Sequence, residues 1–151
     1  MSDAETVYEG KKGYSEDVLL REYIRGILVE NIKPTKGIEN IGDNEIVTST
    51  FSLPGGKLIV WENSPYAQGV HSIYSFVVDE SRRGQGIGSQ LIDAAIQEYS
   101  GEEISGQVSS LASLKVLFNK GFKPYEVQNI GFEELVKMFN DNYGSLNMRL
   151  T

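Results

Sequence analysis

Cysteine is absent from this 151-residue chain, and histidine occurs once, as His71. The first absence excludes disulfides, thiolate metal sites and cysteine nucleophiles. With a single imidazole as well, no zinc or other metal site is expected. Long apolar runs are missing too: nothing approaches the roughly 20 consecutive apolar residues that cross a bilayer, so no membrane partner is expected. The opening residues, MSDAETVYEG, hold neither a basic cluster nor an apolar stretch. No signal peptide is therefore expected, and a cytoplasmic location is the natural reading. Positive charge is scarce, with 14 Lys+Arg against 21 Asp+Glu and a net charge of −7. That disfavours nucleic acid, whose binding relies on neutralising phosphates with basic side chains. An acidic balance suits a cationic partner such as an amine, and it serves solubility equally well. No repeat, low-complexity tract or interdomain linker interrupts the chain, and its length suits a single domain over residues 1–151.

What the chain does have is concentrated between Ser72 and Tyr99. Ile73 to Val78 is β-branched and aromatic, which predicts a strand. Leu91, Ile92, Ala95, Ile96 and Tyr99 recur at helical spacing. Between them lies Arg83-Gly84-Gln85-Gly86-Ile87-Gly88, followed by Ser89, where the strand hands over to a helix N-terminus. The first N–H groups of a helix lack intrahelical partners, and its dipole places about half a positive charge there. Such a place binds phosphate. Arg82-Arg83 adds a basic spot on an acidic background.

Around this unit the pattern predicts further elements. A short strand is expected near Thr6 to Glu9, and a helix from an N-cap at Ser15, ending at Lys33-Pro34. Lys33 to Asn44 reads as a polar, exposed loop. Glu45 to Leu53 and Lys57 to Glu62 read as a hairpin closed by Pro54-Gly55-Gly56. Ser64 to Gly69 makes a second reversal into Val70 to Val78, giving a meander of three antiparallel strands. A strand over Ile104 to Ser109 and a helix over Ser110 to Lys120 follow. Tyr125 to Gln128 reads as a strand, Phe132 to Phe139 as an amphipathic helix, and Leu146 to Leu150 as a last strand. The fold class is α+β, a mixed arrangement with helices on both faces of the sheet.

Spacing narrows the phosphate ligand. A nucleotide P-loop needs GxxxxGK[ST], and no Lys-Ser or Lys-Thr pair follows these glycines. A dinucleotide fingerprint needs GxGxxG, which fails at Leu91 or at Ser89, depending on the starting glycine. The hexapeptide does fit [R/Q]xxGx[G/A]. It resembles the acyl-CoA-binding turn of the GNAT superfamily of N-acetyltransferases, and Gly121-Phe122 resembles that family's closing Gly-Phe. The likeness spans about residues 70–122. It implies a central mixed, mostly antiparallel sheet in which two strands splay apart, with acetyl-CoA in the opening. It further implies backbone contacts to the pantetheine arm along Phe76, Val77 and Val78. The pyrophosphate would be wrapped by Arg83, Gly84, Gln85, Gly86, Ile87, Gly88 and Ser89. Ser110 falls where relatives carry an Asn that contacts the cofactor arm, and Leu117 where they carry a Tyr. Both are departures from the family pattern.

Acetyl transfer to an amine needs a held thioester, a deprotonated amine and a tolerated thiolate. A primary alkyl amine has a pKa near 10.4, so a base of suitable pKa helps. Some family members place a glutamate where this chain has Ser72, which cannot serve alone. His71 beside it is one candidate, since an imidazole's ordinary pKa is about 6.5. Strict alternation would send His71 and Ser72 to opposite faces unless a bulge intervenes. Glu62 is another candidate, with Tyr74 able to position a water. Leu117 cannot protonate the leaving group. A thiol of pKa about 8.5 still leaves tolerably as thiolate, and Tyr125 or Tyr143 could stand in.

Three readings follow. The first is an N-acetyltransferase moving an acetyl group from acetyl-CoA to a small amine, a polyamine or a protein amino group. The second is a weakly catalytic acyl-CoA-binding or regulatory module with the same fold, favoured by Leu117 and Ser72. The third is a plain scaffold with a fortuitous glycine turn. The acceptor's identity is not legible, and a homodimer is left open.

Overall fold

Among the described residues, seven strands in the order β1-β2-β3-β4-β5-β7-β6 form one mixed sheet in the computed structural model. The described residues are Leu20, which is helical, and 32–151. The early strand, and the early helix apart from Leu20, lie outside them. β1 (Thr35–Ile41), β2 (Asn44–Leu53), β3 (Gly56–Ser64) and β4 (Val70–Val78) run antiparallel in sequence. α1 (Ile87–Glu98) then crosses to β5 (Ile104–Val108), the parallel neighbour of β4. α2 (Leu111–Asn119), the two-residue β6 (Lys123–Pro124), α3 (Phe132–Asp141) and β7 (Leu146–Leu150) complete the order. β7 pairs antiparallel with both β5 and β6.

Two expectations are corrected. The stretch read as a polar loop contains β1, joined to β2 through Gly42-Asp43, so the meander has four strands. Six of the seven β1 residues are exposed, so this edge strand has no buried face to write an apolar alternation. Tyr125 to Gln128 is not a strand. The ladder stops at Pro124, and Gln128 turns back to donate from Nε2 to the Pro124 carbonyl at 3.2 Å.

Local chemistry explains the elements that frame the site. Alternate residues of β2 and β3, Phe51, Leu58 and Val60, are wholly buried, as are Leu91 and Ile92 of α1. A fully buried side chain of this size contributes about 1.5–3 kcal/mol. Gly56 lies so close beneath α1 that a Cβ there would fall 2.5 Å from Ile87 and 3.0 Å from Leu91. That identifies the face of the sheet on which α1 lies. α2 starts on Ser110, whose Oγ accepts from the Ser113 N–H at 3.1 Å. It ends in a Schellman motif: Phe122 N–H reaches the Leu117 carbonyl and Gly121 N–H the Phe118 carbonyl, both at 3.0 Å. Gly121 has φ 95 and Phe122 is wholly buried, so the Gly-Phe pair is a helix stop with its apolar anchor. Lys120 then ties α2 to α1 through Asp93 at 2.8 Å.

Candidate active site

β4 and β5 are paired only over His71↔Ile104, Ser72↔Ser105 and Ile73↔Gly106, and part beyond that point. At the same place β4 carries a bulge: Ile59 faces Ser75 and Val60 faces Ile73, leaving Tyr74 as the extra residue. A bulge bends its strand and increases local twist, which turns β4 away from β5. Gly106 lets the two strands approach at the crotch, where a Cβ would stand 3.2 Å from the Ile73 side chain. Beyond the crotch β4 keeps its β3 pairing as far as Val78, while its other edge has no β5 partner. The cleft so opened is lined by Ile73 to Phe76 on one side and Gly106 to Ser109 on the other. Ser113 and Leu117 of α2 line it as well.

The glycine turn lies past the end of β4. Asp79 N–H is bonded to the Gly55 carbonyl, and Glu80–Arg82 forms a single 3-10 turn. Arg82 is held there by a bond from its guanidinium to the Pro54 carbonyl at 3.3 Å. Arg83 is exposed, with no side-chain partner among the described residues. Gly86 is the N-cap of α1 with φ 76, a left-handed conformation, and no side chain caps the helix. The first intrahelical acceptor, the Gly86 carbonyl, takes the Gln90 N–H. The amides of Ile87, Gly88 and Ser89 therefore precede the helical ladder and lack intrahelical partners. A Cβ on Gly88 would meet the Phe76 ring at 3.1 Å, so this glycine also lets the helix start settle on β4. An uncapped helix start, an exposed arginine three residues before it and an unpaired strand edge leading away suit a phosphate-tailed amide chain.

The residues singled out from the sequence divide into groups. Phe76 and Leu117 line the cleft, as does Tyr74. Val78 lies on the α1 face with Phe76, while the Val77 side chain is exposed. Arg83 to Ser89 make the turn and the first helical residues. The Ser110 hydroxyl is engaged as the cap of α2 and donates to Ser113 Oγ at 2.9 Å. Ser113 was not singled out, although a serine three residues after an N-cap and four before Leu117 shares the helix face of Leu117. Tyr125 lies under the Arg149 guanidinium and Tyr143 is almost fully exposed, and neither lines the cleft.

His71 and Glu62 are drawn into one network beneath the C-terminal end of α1. His71 is buried and stacked on Tyr99 at 4.2 Å. Its Nδ1 accepts the Asn63 N–H at 3.2 Å, and its Nε2 lies 2.5 Å from the Glu102 carboxylate. A backbone N–H can be accepted only by a bare ring nitrogen, so the proton sits on Nε2 and is donated to Glu102. Glu62 accepts from Tyr99 Oη at 2.7 Å, from Ser49 Oγ at 2.5 Å, and from Lys36. Burial works against the charged form, but these donors outweigh it and hold the Glu62 carboxyl below its ordinary pKa. Burial, and then the adjoining Glu62 carboxylate, push the Tyr99 hydroxyl the other way, well above the usual phenol range. Ser72 pairs with Trp61 in β3, and Tyr74 stacks on that indole, on the face away from α1. The bulge comes after Ser72, so His71 and Ser72 do point to opposite faces.

Residues 54–117, which contain the hairpin turn, the fork, the glycine turn and most of α2, match the model of the acetyltransferase (GNAT) family. Over these residues the chain is similar to that family. The GNAT fold binds acetyl-CoA. No curated protein matches the chain. Among solved structures, one is titled as the histone acetyltransferase HPA2 and related acetyltransferase from Corynebacterium glutamicum. It is 16% identical with a TM-score of 0.47, over 69% of this chain and 63% of that one. This chain thus spans less than two thirds of that protein. Another, described as a streptothricin acetyltransferase from Bacillus anthracis in complex with acetyl coenzyme A, is 14% identical with a TM-score of 0.46. That match covers 80% of this chain and 85% of the other. Among the described residues no helix is long and apolar enough to cross a membrane, and no cluster of metal-ligating side chains occurs.

Proposed function

We propose that this chain is an N-acetyltransferase that takes an acetyl group from acetyl-CoA and passes it to a primary amine by direct attack in a ternary complex. The observation that carries the reading is the β4–β5 fork opening beside an uncapped α1 N-terminus. Backbone amides of Ile87 to Ser89 and the Arg83 guanidinium would hold the pyrophosphate, and the free β4 edge from Tyr74 to Val78 the pantetheine amides. Bound there, acetyl-CoA supplies an activated thioester carbonyl.

The remaining roles belong to the chain's own side chains. His71 has its bare nitrogen committed to Asn63, and Glu62 carries a full set of donors. Both are positioning residues that fix the start of β4 under α1. Ser72 and Tyr74 stand on the other face at the bulge, where their hydroxyls would orient the amine or a water that takes its proton. No side chain of near-neutral pKa is assigned as base, so the amine loses its proton to solvent. Ser113 Oγ, in the cleft one turn before Leu117, offers the departing sulfur a hydrogen bond in place of the family's tyrosine.

Leu117 itself favours the second reading, a cofactor-binding module with weak transfer. Calorimetry with acetyl-CoA and thiol release against a panel of amines decide between them. Binding with amine-dependent release supports transfer, binding without release supports the module, and absence of binding sinks both.

A further inference from the structure

On the sheet face away from α1, three aromatic side chains gather beside the fork. Trp61 and Tyr74 stack with centroids 4.2 Å apart and planes 12° apart. Tyr66, in the helical turn Pro65–Ala67, stands against the same indole at 6.2 Å and 50°. Tyr66 is fixed by its hydroxyl, which donates to the Ile41 carbonyl and accepts from Asn44 Nδ2, each at 3.3 Å. Tyr74 is the unpaired bulge residue and also lines the cleft, so the aromatic group adjoins the reacting end of the opening. Tyr66 remains 59% exposed and Tyr74 57%.

Some rings elsewhere on the molecule are already engaged by cations. Tyr99, Phe118 and Tyr125 each carry one of the chain's own cations over the ring, Lys36, Lys123 and Arg149. Trp61, Tyr66 and Tyr74 carry none among the described residues. Trp61 and Tyr74 cover one face of each other, which leaves the ring faces of Tyr66 and Tyr74, both more than half exposed, in a chain of net charge −7. A cation within about 6 Å of such a face is attracted by the ring quadrupole, and tryptophan is the strongest partner.

We infer that the Trp61-Tyr66-Tyr74 corner anchors a second cationic group of the acceptor, so that the acceptor is a diamine or longer polyamine rather than a simple monoamine. This rests on the acetyl-transfer reading above, which places the amine at the fork. The second ammonium is bound by ring faces and long-range charge, while the first is left for acetylation.

Trp61 is the only tryptophan, so its emission reports on the corner directly. The full chain is titrated with 1,4-diaminobutane and, separately, with n-butylamine. A saturable emission change is expected with the diamine, at an affinity about fivefold or more above that for butylamine. Tyr66→Leu should remove most of that difference, and Tyr66→Phe, which keeps the ring, should retain it. Overlaying curves for the two amines, or no saturable change, overturn the inference on the parent protein even if Tyr66→Leu fails to fold. A parallel calorimetric titration with acetyl-CoA tests the transferase reading separately. Heat without a tryptophan response overturns the corner alone, and a response without heat overturns the transferase reading and with it the acceptor role, leaving only a cation-binding corner.

Discussion

Arg83 is exposed and lies three residues before Gly86, the uncapped start of α1. Reversing its charge by Arg83→Glu should weaken acetyl-CoA at least about tenfold, as for loss of a charge-assisted contact. Because Arg83 is exposed, the parent affinity should also fall as salt rises from 0.05 to about 0.5 M. Isothermal titration at two ionic strengths measures both effects. Gly86 tests the backbone rather than the charge. At φ 76 an L-residue is strained by roughly 1–2 kcal/mol, so Gly86→Ala should lower the unfolding free energy from denaturant titration by about that much while Arg83→Glu leaves it unchanged. The Glu62–Tyr99 pair makes a pH prediction with a definite sign. Glu62 has its pKa depressed on folding, so its stabilisation is complete above the ordinary glutamate value of 4.5 and is lost as pH falls through the lower folded value. Tyr99 has its pKa raised, so its contribution is complete below the ordinary phenol value of 10.0 and fades as pH rises beyond it. Glu62→Gln should flatten the acid limb of a melting-temperature profile, and Tyr99→Phe the alkaline limb.

Between elements, the fork is made by a mismatch in pairing. β4 follows β3 to the end but leaves β5 after Ile73, and α2 presents Ser113 and Leu117 to the gap. If departure of the thiolate limits transfer, a hydroxyl at 117 should help. Leu117→Tyr should raise kcat and cost about 1–3 kcal/mol of stability, because the position is buried and a phenol overpacks it. Unchanged kcat in a folded Leu117→Tyr variant would place the slow step elsewhere. Elements with a buried face were legible in the sequence. Leu91, Ile92 and Ala95 wrote α1, and Gly121-Phe122 wrote the end of α2. β1 was not legible because it is an edge strand held by backbone bonds, with almost no side chain indoors. Tyr125 to Gln128 misled in the opposite direction, since aromatic and β-branched residues there are left exposed beyond Pro124.

For the whole molecule, the position of the candidate bases sets the expected pH dependence. With His71 and Glu62 tied into a network and solvent taking the proton, kcat/KM should track the free amine. It should rise about tenfold per pH unit from 6 to 9, for an amine of pKa near 10.4. A plateau setting in near pH 7 would instead demand a side-chain base and would overturn the assignment. By itself the sequence determined the absence of cysteine chemistry, the acidic balance, the strand-turn-helix that prepares an anion site, and the family likeness. Those are properties of composition and of neighbours along the chain, where glycine φ angles and helix N–H groups are local. Only the tertiary structure decided which side of the sheet each candidate faces, where β4 and β5 part, and that Ser113 and the Trp61-Tyr66-Tyr74 corner adjoin the cleft. Those depend on register and on one extra residue in β4, which join groups distant in sequence, and local pattern carries no record of either.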